Sequence, residues 1–270
     1  MNEPRLGGLD AELIRNTLLD AAVIAAGITL PRFRQGIAVD NKWAVGFDPV
    51  TEADREAERV IRELIGERFP DHAIIGEEWE DKPGSTAFSW IIDPIDGTRA
   101  FITGVPVWGT LVGLTFEGRA VAGLMAQPFT GEIYIGLPGE AGYHRGEQHL
   151  PLRTSAVTEL ANAKLTTTSP DMFVRPGRDL SRQWNAISSA VLTTRYGLDC
   201  YGYALMAAGH IDLVVEAALK DVDICPLIPL IENAGGVITT WDGGPAEQGG
   251  NCVAAATPEL HAAAMAALNS

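Results

Sequence analysis

Cysteine is scarce. Cys200, Cys225 and Cys252 are the only three in 270 residues, and they stand far apart. No C-x-x-C pair and no disulfide framework can be written from them, which points to a reducing, cytoplasmic setting. Histidine is as sparse: His72, His144, His149, His210 and His261 form no H-x-x-x-H pair, which disfavours zinc catalysis. There is no Walker A loop and no G-x-S-x-G elbow, so neither the P-loop nor the serine-hydrolase route is open. Basic residues are few, 20 Lys and Arg against 35 Asp and Glu, for a formal net charge of −15. Nucleic acid is read by clustered cations and is not an expected partner. No basic segment leads into an apolar leader, and the most apolar early stretch, Leu18 to Leu30, is broken by Asp20 and reads as too short to span a bilayer. A soluble chain with no membrane role is expected.

What the chain does have is apolar mass: 46% of its residues are hydrophobic, enough for one large core or two closely packed ones. Asp10 can cap a helix whose apolar positions run Leu13, Ile14, Leu18, Ala21, Ala25 and Ile28 up to Pro31. A loop with Lys42 and Asp48-Pro49 follows. Thr51-Glu52-Ala53-Asp54 has the capping-box pattern and opens a second helix that ends near Phe69-Pro70. Short strands are expected at Ala73–Ile75 and Trp90–Ile92, with a mobile polar loop at 81–87 between them. From Trp108 to about Gln148 the pattern becomes an antiparallel meander, broken by Glu117-Gly118, Thr130-Gly131 and Arg145-Gly146. Beyond Pro151, strands at Lys164–Thr168, Leu192–Arg195, Ile211–Val215 and Cys252–Ala255 alternate with helices near 179–190, 201–209, 224–233 and 258–267. Residues 1–150 therefore read as an α+β part, 151–270 as an α/β part, with no linker between them.

The chemistry gathers at Trp90-Ile91-Ile92-Asp93-Pro94-Ile95-Asp96-Gly97-Thr98. A buried strand delivers two carboxylates in one tight loop, the arrangement a hard cation requires. Glu77 follows the strand Ala73–Gly76, Asp54 lies in a first helical turn, and Asp223 precedes the apolar run from Ile224, where an N-cap is expected. Each has a structural reading: Asp54 as the capping-box acid, Asp223 as an N-cap, Glu77 as an exposed loop acid. As a set they suit two-metal phosphoryl chemistry, or a non-catalytic protein that binds Mg²⁺ or Ca²⁺. The Asp-x-x-Asp-Gly-Thr spacing differs from the D-x-D-G-T of phosphatases that form an aspartyl-phosphate, which argues against a covalent aspartate.

Gly76-Glu77-Glu78, Asp93-Pro94-Ile95-Asp96-Gly97-Thr98, and Asp223 with Ala234-Gly235-Gly236 behind it resemble the inositol monophosphatase superfamily, and Asp48-Pro49-Val50-Thr51-Glu52-Ala53-Asp54 fits its D-x-V-T-x-x-D segment. Gly97-Thr98-Arg99-Ala100-Phe101-Ile102-Thr103-Gly104, Thr168 to Phe173, Tyr196 to Leu205 and Glu216 to Lys220 are similar to its histidinol-phosphate phosphatase branch. Val222-Asp223 stands where the superfamily usually has W-D, and Pro226 where a small residue is common. The resemblance implies a layered αβαβα sandwich, a Mg²⁺-dependent phosphomonoesterase and a homodimer. It implies that Glu77, Asp93 and the Ile95 carbonyl hold one Mg²⁺ and Asp93, Asp96 and Asp223 a second, with room for a weaker third near Glu77. Thr98 with Asp54 then activates the attacking water, and the N–H groups of Gly97 and Thr98 receive phosphate. Glu216, at the end of its apolar strand, and Asp199, ahead of a small-residue helix, are the candidate substrate-binding acids. Two acids there suit a cationic substrate such as L-histidinol phosphate, whereas an inositol or sugar phosphate needs hydroxyl partners. Asp199 alternatively reads as the N-cap of Cys200–Ala208.

Overall fold

The computed structural model describes residues 6–36, 38–41 and 49–270; the expected roles of Lys42 and Asp48 fall outside them. Helix α1 (Ala11–Thr29) starts where Asp10 accepts the Glu12 amide at 2.9 Å. Helix α2 (Glu52–Arg68) starts at the Thr51–Asp54 capping box. With its 3₁₀ extension, α1 forms a 22-residue helix, Ala11–Arg32, long and apolar enough to cross a membrane by length and composition alone. That corrects the reading of this stretch as too short. Its apolar stripe lies in the core: Ile14, Leu18, Ala21, Ala22 and Ala25 are buried against α2 and a large sheet.

That sheet has seven strands in sequence order: β1 (Ala73–Gly76), β2 (Phe88–Asp96), β3 (Gly109–Phe116), β4 (Arg119–Gln127), β5 (Glu132–Leu137), β6 (Glu140–Arg145) and β7 (Gln148–Pro151). Only β1 and β2 run parallel. The stretch expected to be a mobile loop is tied down at Lys82, which exchanges two backbone hydrogen bonds with Ile74, both 2.9 Å. A second sheet contains β8 (Lys164–Thr167), β9 (Thr193–Tyr196), β10 (Leu213–Leu219), β11 (Val237–Thr240) and β12 (Gly250–Ala255), in the spatial order 9-8-10-12-11. Strand β11 was not anticipated.

Strand alternation sorts the side chains into layers. On β2, Trp90 and Ile92 face α1 and α2, while Ile91 and Asp93 face the opposite side. On β10, Leu213, Val215 and Ala217 pack with helices α4 (Ser181–Ser188) and α8 (Pro258–Leu268). Val214 and Glu216 face the other way, toward α5 (Asp199–Ala207). Between the sheets lie α5, α6 (Asp221–Ile224) and α7 (Ile228–Asn233). The architecture is thus the five-layer αβαβα sandwich.

The expected helix over 224–233 is broken. A 3₁₀ turn, Cys225–Leu227, separates α6 from α7, with Pro226 and Pro229 at the starts of successive pieces. This segment docks onto the large sheet at backbone distance. Gly113, Gly123 and Gly136 sit opposite one another on β3, β4 and β5. A Cβ at Gly123 would lie 1.9 Å from the Pro226 carbonyl oxygen, and one at Gly136 would lie 2.2 Å from the Leu230 nitrogen. The row of glycines is a slot for the Pro226–Leu230 backbone.

Candidate active site

The inward face of β2 meets the middle layer at the site. Strand β2 does not stop at Asp93, as its apolar run suggests; it continues to Asp96, with its pairing to β3 shifted between the two. The shift brings both carboxylates toward α6. Oxygens of Asp93, Asp96 and Asp223 lie within 4.8 Å of one another. Asp223 is the third residue of α6, not its N-cap, and its Oδ2 accepts the Lys220 amide at 2.7 Å. From this third position the carboxylate caps its own helix start and at the same time lies beside Asp93 and Asp96 of β2.

Burial strongly raises the Asp93 carboxyl, and the neighbouring Glu77, Asp96, Asp223 and Asp54 raise it further. Asp96 is raised by burial and by Asp199 and Asp223. Asp223 is pushed up to about 6, again chiefly by burial. Like charges packed in a dry site resist ionising together unless a cation joins them. The donors are all carboxylate or carbonyl oxygens, the set a hard divalent ion takes and a soft one does not.

Gly97 has φ +81° and caps the six-residue helix α3 (Thr98–Thr103). A side chain there would be strained, and its Cβ would meet the Asp199 carboxylate at 3.1 Å. The Thr98 hydroxyl donates to the Ile95 carbonyl at 3.1 Å and lies 3.5 Å from Asp54 Oδ1. Asp54 Oδ2 accepts the Thr51 amide (2.9 Å) and hydroxyl (2.5 Å). The two readings of Asp54 are therefore compatible: one oxygen caps α2 and the other faces Thr98.

A cleft of about 230 Å³ opens here, its walls including Glu77, Asp93, Asp96, Thr98, Asp199 and Asp223. Asp199 is the first residue of α5 rather than an N-cap, and it holds a left-handed φ of +46°. The next amide, Cys200 N, donates to Asp96 Oδ2 at 2.7 Å, which ties this turn to the carboxylate centre. Burial lifts the Asp199 carboxyl to about 6, with Thr168 and Arg99 pulling the other way. Glu216 does not line the cleft. It is buried behind, where Oε1 accepts both the amide (2.7 Å) and the hydroxyl (3.1 Å) of Thr168, a cleft-wall residue. Its Oε2 is buried without a partner, and burial raises the carboxyl to about 8.

Three cations of the cleft wall, Arg99, Arg175 and Lys220, were not singled out from sequence. Arg99, beside the Gly97-Thr98 turn, was a readable signal for an anion. Lys220 sits in an acid-flanked turn, Lys220-Asp221-Val222-Asp223, which is also readable; Arg175 carried none.

A model of the inositol monophosphatase family matches residues 10–270. The chloroplastic bifunctional phosphatase IMPL2 of Arabidopsis thaliana is 42% identical over 199 residues, 73% of this chain but only 56% of that protein. A histidinol-phosphatase of Chlorobaculum parvum is 35% identical over 226 residues, 83% of this chain and 85% of that one. Among solved structures, an inositol monophosphatase from Zymomonas mobilis has a TM-score of 0.84 at 34% identity and covers 97% of this chain and 100% of that one.

Proposed function

The chain belongs to the inositol monophosphatase family, and from that premise we propose that it is a Mg²⁺-dependent phosphomonoesterase that hydrolyses L-histidinol phosphate to L-histidinol and phosphate. The observation that carries the substrate choice is Asp199, an acid on the cleft wall beside the carboxylate centre, with Glu216 behind it. An ammonium or imidazolium placed there adds to the compensation that Arg99 gives Asp199, which a neutral sugar cannot do.

The oxygen-only donor set fits Mg²⁺. Glu77, Asp93 and the Ile95 carbonyl would hold one ion; Asp93, Asp96 and Asp223 would hold the other. Bound there, the ions supply charge against the phosphoryl group and the leaving alkoxide, and they acidify water. Thr98 and Asp54 move the proton: Thr98 Oγ takes it from the attacking water while its own hydroxyl proton passes to Asp54 Oδ1. The relay requires the hydroxyl to turn from the Ile95 carbonyl, where it now donates, to Asp54. The amides of Gly97 and Thr98 and the Arg99 guanidinium are the phosphate donors.

Inositol-1-monophosphatase is the second reading, supported by the full-length similarity to the Zymomonas enzyme. The test is phosphate release from L-histidinol phosphate and from inositol-1-phosphate, side by side, with Mg²⁺ and then with EDTA. A metal-dependent preference for histidinol phosphate is the expected result. A reversed preference transfers the substrate to the second reading, and no release from either overturns both.

A further inference from the structure

We infer that Lys220 is a tethered counter-cation of the carboxylate centre, one that holds Glu77 and contests it with a dissolved divalent ion. The inference rests on the metal-centre reading above and adds a residue that opposes loading.

Lys220 follows β10 directly. The pairing of β10 with β12 shifts between Glu216 and Leu219, and Ala218 takes a left-handed φ of +56°. The chain turns sharply there and delivers one residue to two acids of the centre. The Lys220 amide donates to Asp223 Oδ2 at 2.7 Å, and its Nζ donates to Glu77 Oε1 at 2.8 Å. Glu77 directly follows β1 of the large sheet, 143 positions earlier, and Asp223 belongs to the middle layer. One lysine thus joins both sides of the cleft.

The side-chain exposures decide what the pair does. Glu77 is 13% exposed and Lys220 48%. An ion pair that open to water contributes little stability, and the lysine stem can swing into solvent without uncovering a core. The carboxylate is the fixed member and the ammonium the mobile one. A divalent ion that takes Oε1 must displace the ammonium; one that takes only Oε2 sits a few ångströms from a tethered positive charge. Either way the ion binds more weakly than the carboxylates alone would allow. The lysine therefore sets the cation concentration at which the Glu77 side of the centre fills.

The test is Mn²⁺ binding to the full chain, followed by calorimetry and by the electron paramagnetic resonance of free Mn²⁺, in wild type, Lys220→Met and Lys220→Arg. Methionine keeps the stem without the charge, and arginine keeps the charge. Lys220→Met is expected to bind Mn²⁺ roughly tenfold more tightly, and Lys220→Arg to bind like the wild type. Unchanged or weaker binding in Lys220→Met overturns the inference, as does an arginine variant that behaves like the methionine one. Failure of all three proteins to bind Mn²⁺ overturns the metal-centre reading itself.

Discussion

Two strands in this molecule lose register with a neighbour just after a buried acid. Strand β2 shifts against β3 after Asp93, and β10 shifts against β12 after Glu216. The device is shared, but the surroundings differ. Asp93 is ringed by Glu77, Asp96, Asp223 and Asp54, each of which raises its pKa. Glu216 is held through one oxygen by the amide and hydroxyl of Thr168 and keeps the other buried and unpartnered. Burial is the largest cause at both acids, and at the first the repulsion of four neighbouring carboxylates is added to it. A crowd of carboxylates is relieved only by concentrated positive charge, whereas a single buried carboxylate is satisfied by one donor or one proton. The same break in a sheet thus gathers a cluster of carboxylates at one strand and leaves a single buried acid at the other.

Removing the charge at the crowded acid breaks this contrast most severely. Asp93→Asn should lower phosphate release by about a thousandfold and yet raise the melting temperature of the EDTA-treated protein, because repulsion goes with the charge. Turnover assays and thermal melts on one preparation check both signs. Thr98→Ala should cost about a hundredfold in turnover and leave Mn²⁺ affinity close to wild type, measured calorimetrically; that result separates the proton relay from the carboxylates beside it. On the selective side, Asp199→Asn should reduce kcat/KM for histidinol phosphate about tenfold or more, and inositol-1-phosphate turnover should change much less. Equal losses on both substrates would remove the distinction between the two acids.

The smallest effect is a pH dependence. The Glu216 carboxyl is raised from the usual 4.5 to about 8. Its protonated form therefore supports the fold below the lower value, and that support is lost as pH rises through the upper one. Metal-free Glu216→Gln should melt higher than wild type near about pH 9, the gap closing toward about pH 5. A constant offset across that range would mean that Glu216 is not the titrating group.

Local chemistry made much of this architecture legible. Asp10 and the Thr51–Asp54 box both start helices where their side chains predict, because a cap is a contact between near neighbours. Alternation placed Trp90 and Ile92 in one layer and Asp93 in another. What stayed hidden depends on distant chain segments. Asp223 does cap its helix, from the third position rather than the N-cap, but its neighbour Asp93 lies 130 positions away in sequence. The backbone at Asp199 adopts a left-handed turn that no pattern marks, and the Cys200 bond to Asp96 holds it there. Glu216 was expected to face the substrate directly and instead stands behind Thr168, which only the packing of β8 beside β10 could reveal.

The glycine slot under Pro226–Leu230 has a consequence for how the centre tolerates change. Asp223 stands three residues ahead of a segment seated main chain against main chain, where few side chains could change rotamer to absorb a displacement. Packing elsewhere in the core is adjustable, since a methyl group gained on one side can be given up on another. At Gly123 there is nothing to give up. The spacing of carboxylates from two different layers is thus gauged by bare peptide thickness. It is a dimension that cannot drift gradually under substitution and can only be kept or lost.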